Sequence, residues 1–380
     1  MKHFFVSLLI AAVASVASAQ FPYAFSDIFH SIDTTHSQND VLLRMPGVCF
    51  LKNDEYFSDY IEGYTLIGYQ LRPSVVWYVA PQISLEVGAQ MLQYGGTNKY
   101  DNVSPMFTAQ WRINSWSTLI MGTLDGHLAH GLPESMWNPE LQLSDKPEMG
   151  IQIKIQRPHL TAETWLNWQQ FIKTNDTIPE KFTVGLSARI KSQCNADAAW
   201  QVEVPMQMLI SHIGGQISNF SERMQSLVNG TASLVLKKNI NRRWLYSVGT
   251  ELQAQFFHAM VDGGVRPFSD GWAFYPQLTV EANHFAMNMG YWRASNYFSL
   301  YGNYNFMSLS NYKHDVYTKN RNLIVAEANF YHSFKSNLKF TLGGKLYNDV
   351  DASQLDYSYH ISLVITPTWT VYESDRKTQK

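Results

Sequence analysis

Two clusters in this chain have side chains that could do chemistry. Asp125, His127, His130 and Glu134 stand close together near the start of a stretch that runs to Glu148. Carboxylates and imidazoles at short range can hold a metal ion. Their spacing here matches no established site, so no metal ligand and no cofactor is assigned. Pro133, Pro139 and Pro147 punctuate the stretch, which reads as a loop, extracellular or infolded. The second cluster is Ser358, His360 and Ser362, alternating on one face of a strand. Nucleophilic catalysis needs a serine, a histidine and an orienting acid within reach. No G-x-S-x-G or similar motif is present, and no catalytic residue is assigned.

The elements that must position these residues are strands. From Leu355 to Val371 every second residue is apolar or aromatic: Leu355, Tyr357, Tyr359, Ile361, Leu363, Ile365, Pro367, Trp369 and Val371. The residues between them, Asp356 to Tyr372, are almost all polar. A period of two means an extended strand with unlike faces. Soluble strands usually run about 5–6 residues, whereas a tilted strand crossing a bilayer needs roughly 9–11. Aromatics near both ends of the apolar face match the two girdles of a lipid-facing strand.

The same alternation recurs along the chain, with short turns and longer loops in alternation. Val41–Leu51 is interrupted by Met45-Pro46-Gly47, and Trp116, Thr118, Ile120 and Leu124 mark a less regular strand. The pattern predicts an all-β fold: a transmembrane antiparallel up-and-down β-barrel of about 16 strands, within 14–18. In hydrocarbon every backbone N–H and C=O must pair internally, and a closed sheet has no free edge. Pro46, Pro73, Pro205, Pro276 and Pro367 are then expected near rims or bulges.

Composition agrees. Only 16% of the 380 residues are charged, against about 25% in soluble proteins, and 14% are aromatic. No apolar run after the N-terminus is long enough for a spanning helix. A net charge of −2 gives no reason to expect nucleic acid as a partner. Residues 1–19 read as a signal peptide, with Lys2, an apolar stretch from Phe4 and Ala17-Ser18-Ala19 before Gln20. Residues 20–40 are irregular, 41–372 form the barrel, and 373–380 are a polar tail. Cys49 and Cys194 are expected to be free thiols.

If the apolar set faces lipid, the other set lines a polar lumen. Arg72, Glu86, Arg112, Lys154, Arg189, Glu203, Glu251, Glu281, Glu327, Lys345, Asp356 and His360 are the lumen-lining candidates. Both signs are present, so strong charge selectivity is not expected. The Tyr-rich segment from Tyr297 through Tyr317 could stack on sugar rings.

Glu55-Tyr56-Phe57, Gly63-Tyr64-Thr65-Leu66, Gly122-Thr123-Leu124-Asp125-Gly126 followed by His130, Thr164-Trp165-Leu166-Asn167-Trp168 and Lys181-Phe182-Thr183-Val184-Gly185-Leu186-Ser187 resemble a largely uncharacterised outer-membrane β-barrel family of Bacteroidota. The likeness is clearest from about Glu55 to Ser187. It implies fold and location in the outer membrane of a Gram-negative bacterium, and no reaction. The tail after Tyr372 departs from ordinary porin-like chains, which end on an aromatic.

The resulting expectation is a porin-like channel or transporter for small polar solutes. Its partners would be outer-membrane lipid and the barrel-assembly machinery; the pattern does not fix an oligomeric state. A plugged barrel serving as a scaffold, secretion accessory or glycan-binding surface protein is the alternative. Some outer-membrane barrels carry a Ser–His lipase or deacylase site, but without a motif the chain is expected not to be an enzyme.

Overall fold

Sixteen antiparallel strands close into one barrel. The computed structural model describes residues 29, 31–193, 198–215, 217–219, 223–261, 264–313, 315–334 and 337–374. The leader expected at 1–19, the last residues of the tail and Cys194 lie outside the described residues. The strands are β1 (Val41–Arg44 with Gly47–Glu55), β2 (Thr65–Leu71 with Ser74–Ala80), β3 (Ile83–Tyr94), β4 (Asn102–Asn114), β5 (Ser117–Thr123), β6 (Met149–Arg157), β7 (Leu160–Gln170) and β8 (Glu180–Lys191). They continue as β9 (Trp200–Gly214), β10 (Gln225–Asn239), β11 (Leu245–Val261), β12 (Asp270–Ala282), β13 (Phe285–Ser295), β14 (Asn320–Phe334), β15 (Leu338–Asp349) and β16 (Gln354–Ile365 with Thr368–Tyr372).

Each strand pairs with the next, and β16 returns to β1 through Tyr357 opposite Glu55 and Thr368 opposite Arg44. Three neighbouring strands break at one level, at Pro46, Pro73 and Pro367. A proline has no N–H to give a ladder. Its carbonyl still accepts: Met45 donates to Pro367, Arg72 to Pro46 and Ala89 to Pro73. Pro205 and Pro276 sit within β9 and β12.

Alternation produced the lipid face as expected. Val75 and Trp77 are exposed while Val76 and Tyr78 are fully buried. The lumen differs from expectation. It is not simply polar, because Trp292, Tyr347, Trp165, Leu209 and Leu92 also point inward and are buried. Two long loops fold into the barrel and need an apolar partner there. Residues 124–148 pack Leu124, Leu132, Met136 and Trp137 against Ile120, Trp165 and Leu209. Residues 296–319 pack Tyr297, Phe298, Phe306 and Met307 against Tyr275, Trp292 and Tyr347. Ile120, expected on the outer face of its strand, therefore points inward, and Met121 faces out.

The loops also hold each other. Trp137 bridges Tyr301, the Asn138 N–H donates to the Tyr301 carbonyl at 2.6 Å, and the Asn303 N–H to the Glu134 carbonyl at 2.9 Å. At the other mouth Ile32 packs on Leu42, Val76 and Tyr78. Two of the cavities left between plug and wall are small, about 70 and 60 Å³.

Candidate functional site

The wall opens where the first loop leaves it. Gly122, at φ 92°, kinks the end of β5, and a Cβ there would lie 2.1 Å from the Phe107 carbonyl. The chain then turns inward. The Leu124 N–H donates to the Glu148 carbonyl at 2.9 Å, so the loop's two ends close on each other. A Cβ on Gly126 would fall 2.8 Å from the Glu148 carboxyl carbon, so only glycine lets that carboxylate approach.

Glu148 is gripped from one side by the loop. Its Oε1 accepts the His127 backbone N–H at 2.8 Å, and its Oε2 accepts from His130 Nε2 at 3.0 Å. His130 Nδ1 donates to Glu163 of β7 at 2.8 Å. Its ring lies flat on Trp165, with centroids 3.6 Å apart. Burial alone would depress His130, but the carboxylates of Glu148 and Glu163 outweigh it and raise its pKa to about 10. His130 is an imidazolium clasp between loop and wall. Burial would also raise Glu148; His130 holds it down at about 2 instead. Asp125 pairs with Lys154 of β6, and its backbone N–H donates to Gln152 Oε1 at 3.1 Å.

His127 is of a different kind. Its backbone sits at φ 52°, a left-handed conformation that a non-glycine residue adopts at a cost. Burial pushes its pKa below the ordinary histidine value, so the ring is neutral. Nε2 lies 3.2 Å from the Lys146 carbonyl and donates to it. Nδ1 then carries the lone pair. It has no hydrogen-bond partner among the described residues and stands 3.5 Å from the Glu148 carboxylate. Trp137, 5.8 Å away between ring centroids, has a buried indole N–H that is likewise unpartnered. Both residues line a cavity of about 640 Å³. Its walls are Asn102–Pro105 of β4 and Asn167–Gln169 of β7, and the loop's return through Lys146 lines it as well.

The lumen candidates are dispersed. Arg189 meets Glu203 at 2.7 Å, Glu281 meets Lys237 at 2.7 Å, and Glu327 meets Lys345 at 3.0 Å. Lys345 also pairs with Glu134 of the first loop. Glu86 pairs with Arg44 at 2.9 Å, while buried Arg72 lies under the Phe29 ring, 5.2 Å from its centroid. Asp356 accepts the Phe57 and Ser58 N–H groups, Glu251 accepts from Gln253, and His360 lines the small cavity shared with Lys52 and Tyr56. Arg112 stands apart at a short turn and donates to the Ser115 carbonyl. Of the twelve, Lys154 joins the loop cluster at Asp125 and Lys345 at Glu134. Glu148, Glu163, Trp137 and Trp165 went unread as site residues. The only sequence signal was the spacing of Asp125, His127 and His130 around Gly122 and Gly126. Cys49 is a free, exposed thiol.

Solved structures with this architecture are outer-membrane proteins. OprD from Pseudomonas aeruginosa is 10% identical, with 91% of this chain and 100% of that chain covered at a TM-score of 0.50. A loop-deletion mutant of OmpT from Vibrio cholerae is 11% identical, with 87% and 100% covered at a TM-score of 0.50. These likenesses concern the fold. No curated protein matches the chain. A closed barrel of sixteen strands with an apolar outer face is at home in the outer membrane of a Gram-negative bacterium.

One expectation is overturned. Residues 32–374 match the family described as Lipid A 3'-O-deacylase-type, which names an enzyme, whereas the sequence pattern pointed to none. No G-x-S-x-G or similar motif stands in the chain, so the local pattern carried no sign of the family. The match runs through the wall and both infolded loops, and the chain belongs to the Lipid A 3'-O-deacylase-type family.

Proposed function

We propose that the protein hydrolyses an acyl ester of lipid A at the cavity beneath Trp137 and His127. The observation that carries this reading is the pair of buried, unpartnered groups on residues lining that cavity: one acceptor, His127 Nδ1, and one donor, Trp137 Nε1. Other buried side-chain atoms among the described residues are unpaired too, but these two alone among them belong to residues lining this cavity. Ester hydrolysis uses one of each.

In the proposed step a water oxygen attacks the ester carbonyl carbon while His127 Nδ1 takes its proton. The carbonyl oxygen becomes an oxyanion, and the Trp137 N–H donates to it. The intermediate collapses, the bond from the acyl carbon to the sugar oxygen breaks, and His127 returns its proton to that oxygen. The products are a free fatty acid and a hydroxyl. Glu148, 3.5 Å from Nδ1, stabilises the imidazolium while it exists. The Lys146 carbonyl fixes the tautomer. Purified protein mixed with lipid A in detergent micelles tests this, with fatty-acid release followed by mass spectrometry. Release is expected; intact lipid A after long incubation would sink the reading.

Passage of small polar solutes is the second reading. The ion pairs spread along β8 to β15 support it. It requires the two infolded loops to withdraw. Step conductance across a planar bilayer would favour it, and a silent bilayer would not.

A further inference from the structure

The wall is lowest beside this site. β5 has seven residues and β6 nine, whereas β10 has fifteen and β11 seventeen. Seven residues reach roughly 24 Å along the strand and about 18 Å across the membrane at barrel tilts, short of an apolar band of about 25 Å. The taller strands on either side are left with open edges. β4 first pairs with β5 at Thr108, opposite Gly122, so Asn102 to Met106 have no neighbour on that side. β7 last pairs with β6 at Asn167, opposite Gly150, so Trp168 to Gln170 have none. The 640 Å³ cavity lies between these two edges.

From this geometry we infer that a lipid of the outer leaflet reaches the site sideways, through the notch between β4 and β7. The inference rests on the hydrolase reading and specifies its substrate as a lipid still embedded in the membrane. Three observations carry it. An open sheet edge is costly in hydrocarbon and tolerable where it meets water or polar groups. The notch therefore sits at the depth of headgroups and ester linkages, and Pro105 removes one backbone donor from its edge. Below and beside it the outer face is apolar, with Val103, Phe107, Met149, Ile151, Trp168 and Phe171 all exposed. An acyl chain can stay against that face while its ester enters. The route from the lumen is closed by Leu124, Met136, Trp137 and Trp165, which pack together. Sideways access also keeps the chain buried, whereas extraction would expose every methylene to water.

The test places a photo-crosslinking benzoylphenylalanine at Val103 or at Trp168, and as a control at Leu278 on the far wall, which is 65% exposed. The His127→Ala background stops turnover, and vesicles contain lipid A among excess phospholipid. The expected result is a lipid A-to-phospholipid adduct ratio about tenfold higher at the notch positions than at 278, since tenfold is a readily resolved preference. Two notch positions guard against one failing to fold. Equal ratios at all three positions overturn the inference, even if wild-type protein in the same vesicles releases fatty acid. Enrichment at the notch without any release by wild-type protein supports the inference and sinks the hydrolase reading instead.

Discussion

The two infolded loops share apolar docking but differ in what is added to it. Residues 296–319 dock through aromatic burial: Tyr297, Phe306 and Met307 sit under Trp292 and Tyr347, and Arg321 caps the Met307 carbonyl at 2.8 Å. Residues 124–148 add buried charge to their packing of Leu132, Met136 and Trp137, with Asp125, His130 and Glu148 clasped to Lys154 and Glu163. A plug needs only the first device, because apolar packing fills a lumen without desolvating ions. Buried ion pairs are poor stabilisers compared with apolar groups of equal volume. The first loop accepts that cost, and the strained backbone of His127, where it also presents an unpartnered imidazole. The difference teaches that one loop is a stopper and the other is a stopper that also holds a strained, unpartnered imidazole.

The largest effect expected is on chemistry. Replacing His127 with Ala should lower fatty-acid release about 10²–10⁴-fold, the range for a general base. Both loops should remain docked, as read by hydrogen exchange, because the His127 side chain makes only one hydrogen bond. Loss of docking in this variant would erase the distinction drawn between the loops.

Next come the two anchors. Glu148→Ala leaves the His130 charge half-paired and should destabilise docking of 124–148 by about 3–5 kcal/mol. Trp292→Ala empties the aromatic cluster and should destabilise 296–319 by a similar ~3–5 kcal/mol. Limited proteolysis reports which loop is cut. The comparison sharpens if each variant first exposes its own loop. It breaks if both variants expose both loops equally, which would make the Trp137–Tyr301 joint the true anchor.

Much of this was legible in the sequence and part was not. Strand positions could be read because lipid and lumen impose a period of two on long runs, as from Leu355 to Val371. The break at Pro46 was visible as an interruption, whereas Pro73 and Pro367 stood inside runs whose alternation read straight through them. The faces were misread where a loop supplies apolar partners from inside. Ile120 looks lipid-facing in the pattern until residues 124–148 are placed against it, and the inward Trp292 makes sense only with 296–319 in place. The site was half legible. Asp125, His127 and His130 stood out, but Glu163 and Trp165 lie on a strand whose register brings them there, and no local spacing encodes that. The irregular strand before Gly122 was the visible trace of the notch.

A smaller effect separates the loops by pH. His130 has a docked pKa of about 10 against an ordinary 6.5, so its contribution is full below 6.5 and lost as pH rises toward 10. Glu148 has a docked pKa of about 2 against 4.5, so its contribution is full above 4.5 and lost as pH falls toward 2. Docking of 124–148 should therefore be firmest between 4.5 and 6.5. It should weaken by on the order of 1 kcal/mol per pH unit above that window. Hydrogen exchange of 124–148 should rise from pH 6.5 to 8.5, after correction for the intrinsic rate, while that of 296–319 stays flat. A parallel rise in both would mean that charge anchors the pair jointly.

The smallest effect concerns a residue that belongs to neither loop. Arg112 was grouped with the lumen charges by alternation, yet its guanidinium bonds the Ser115 carbonyl at an exposed turn, at the end of the barrel opposite the loops. A surface hydrogen bond of this sort contributes little, and Arg112→Ala should shift stability by less than about 0.5 kcal/mol. Acyl release and the protection of both loops should match wild type. A clear change in either would mean that the far rim of the barrel senses the plug. Coupling through β4 would be the physical path, because that strand carries Arg112 at one end and the notch edge from Asn102 to Met106 at the other.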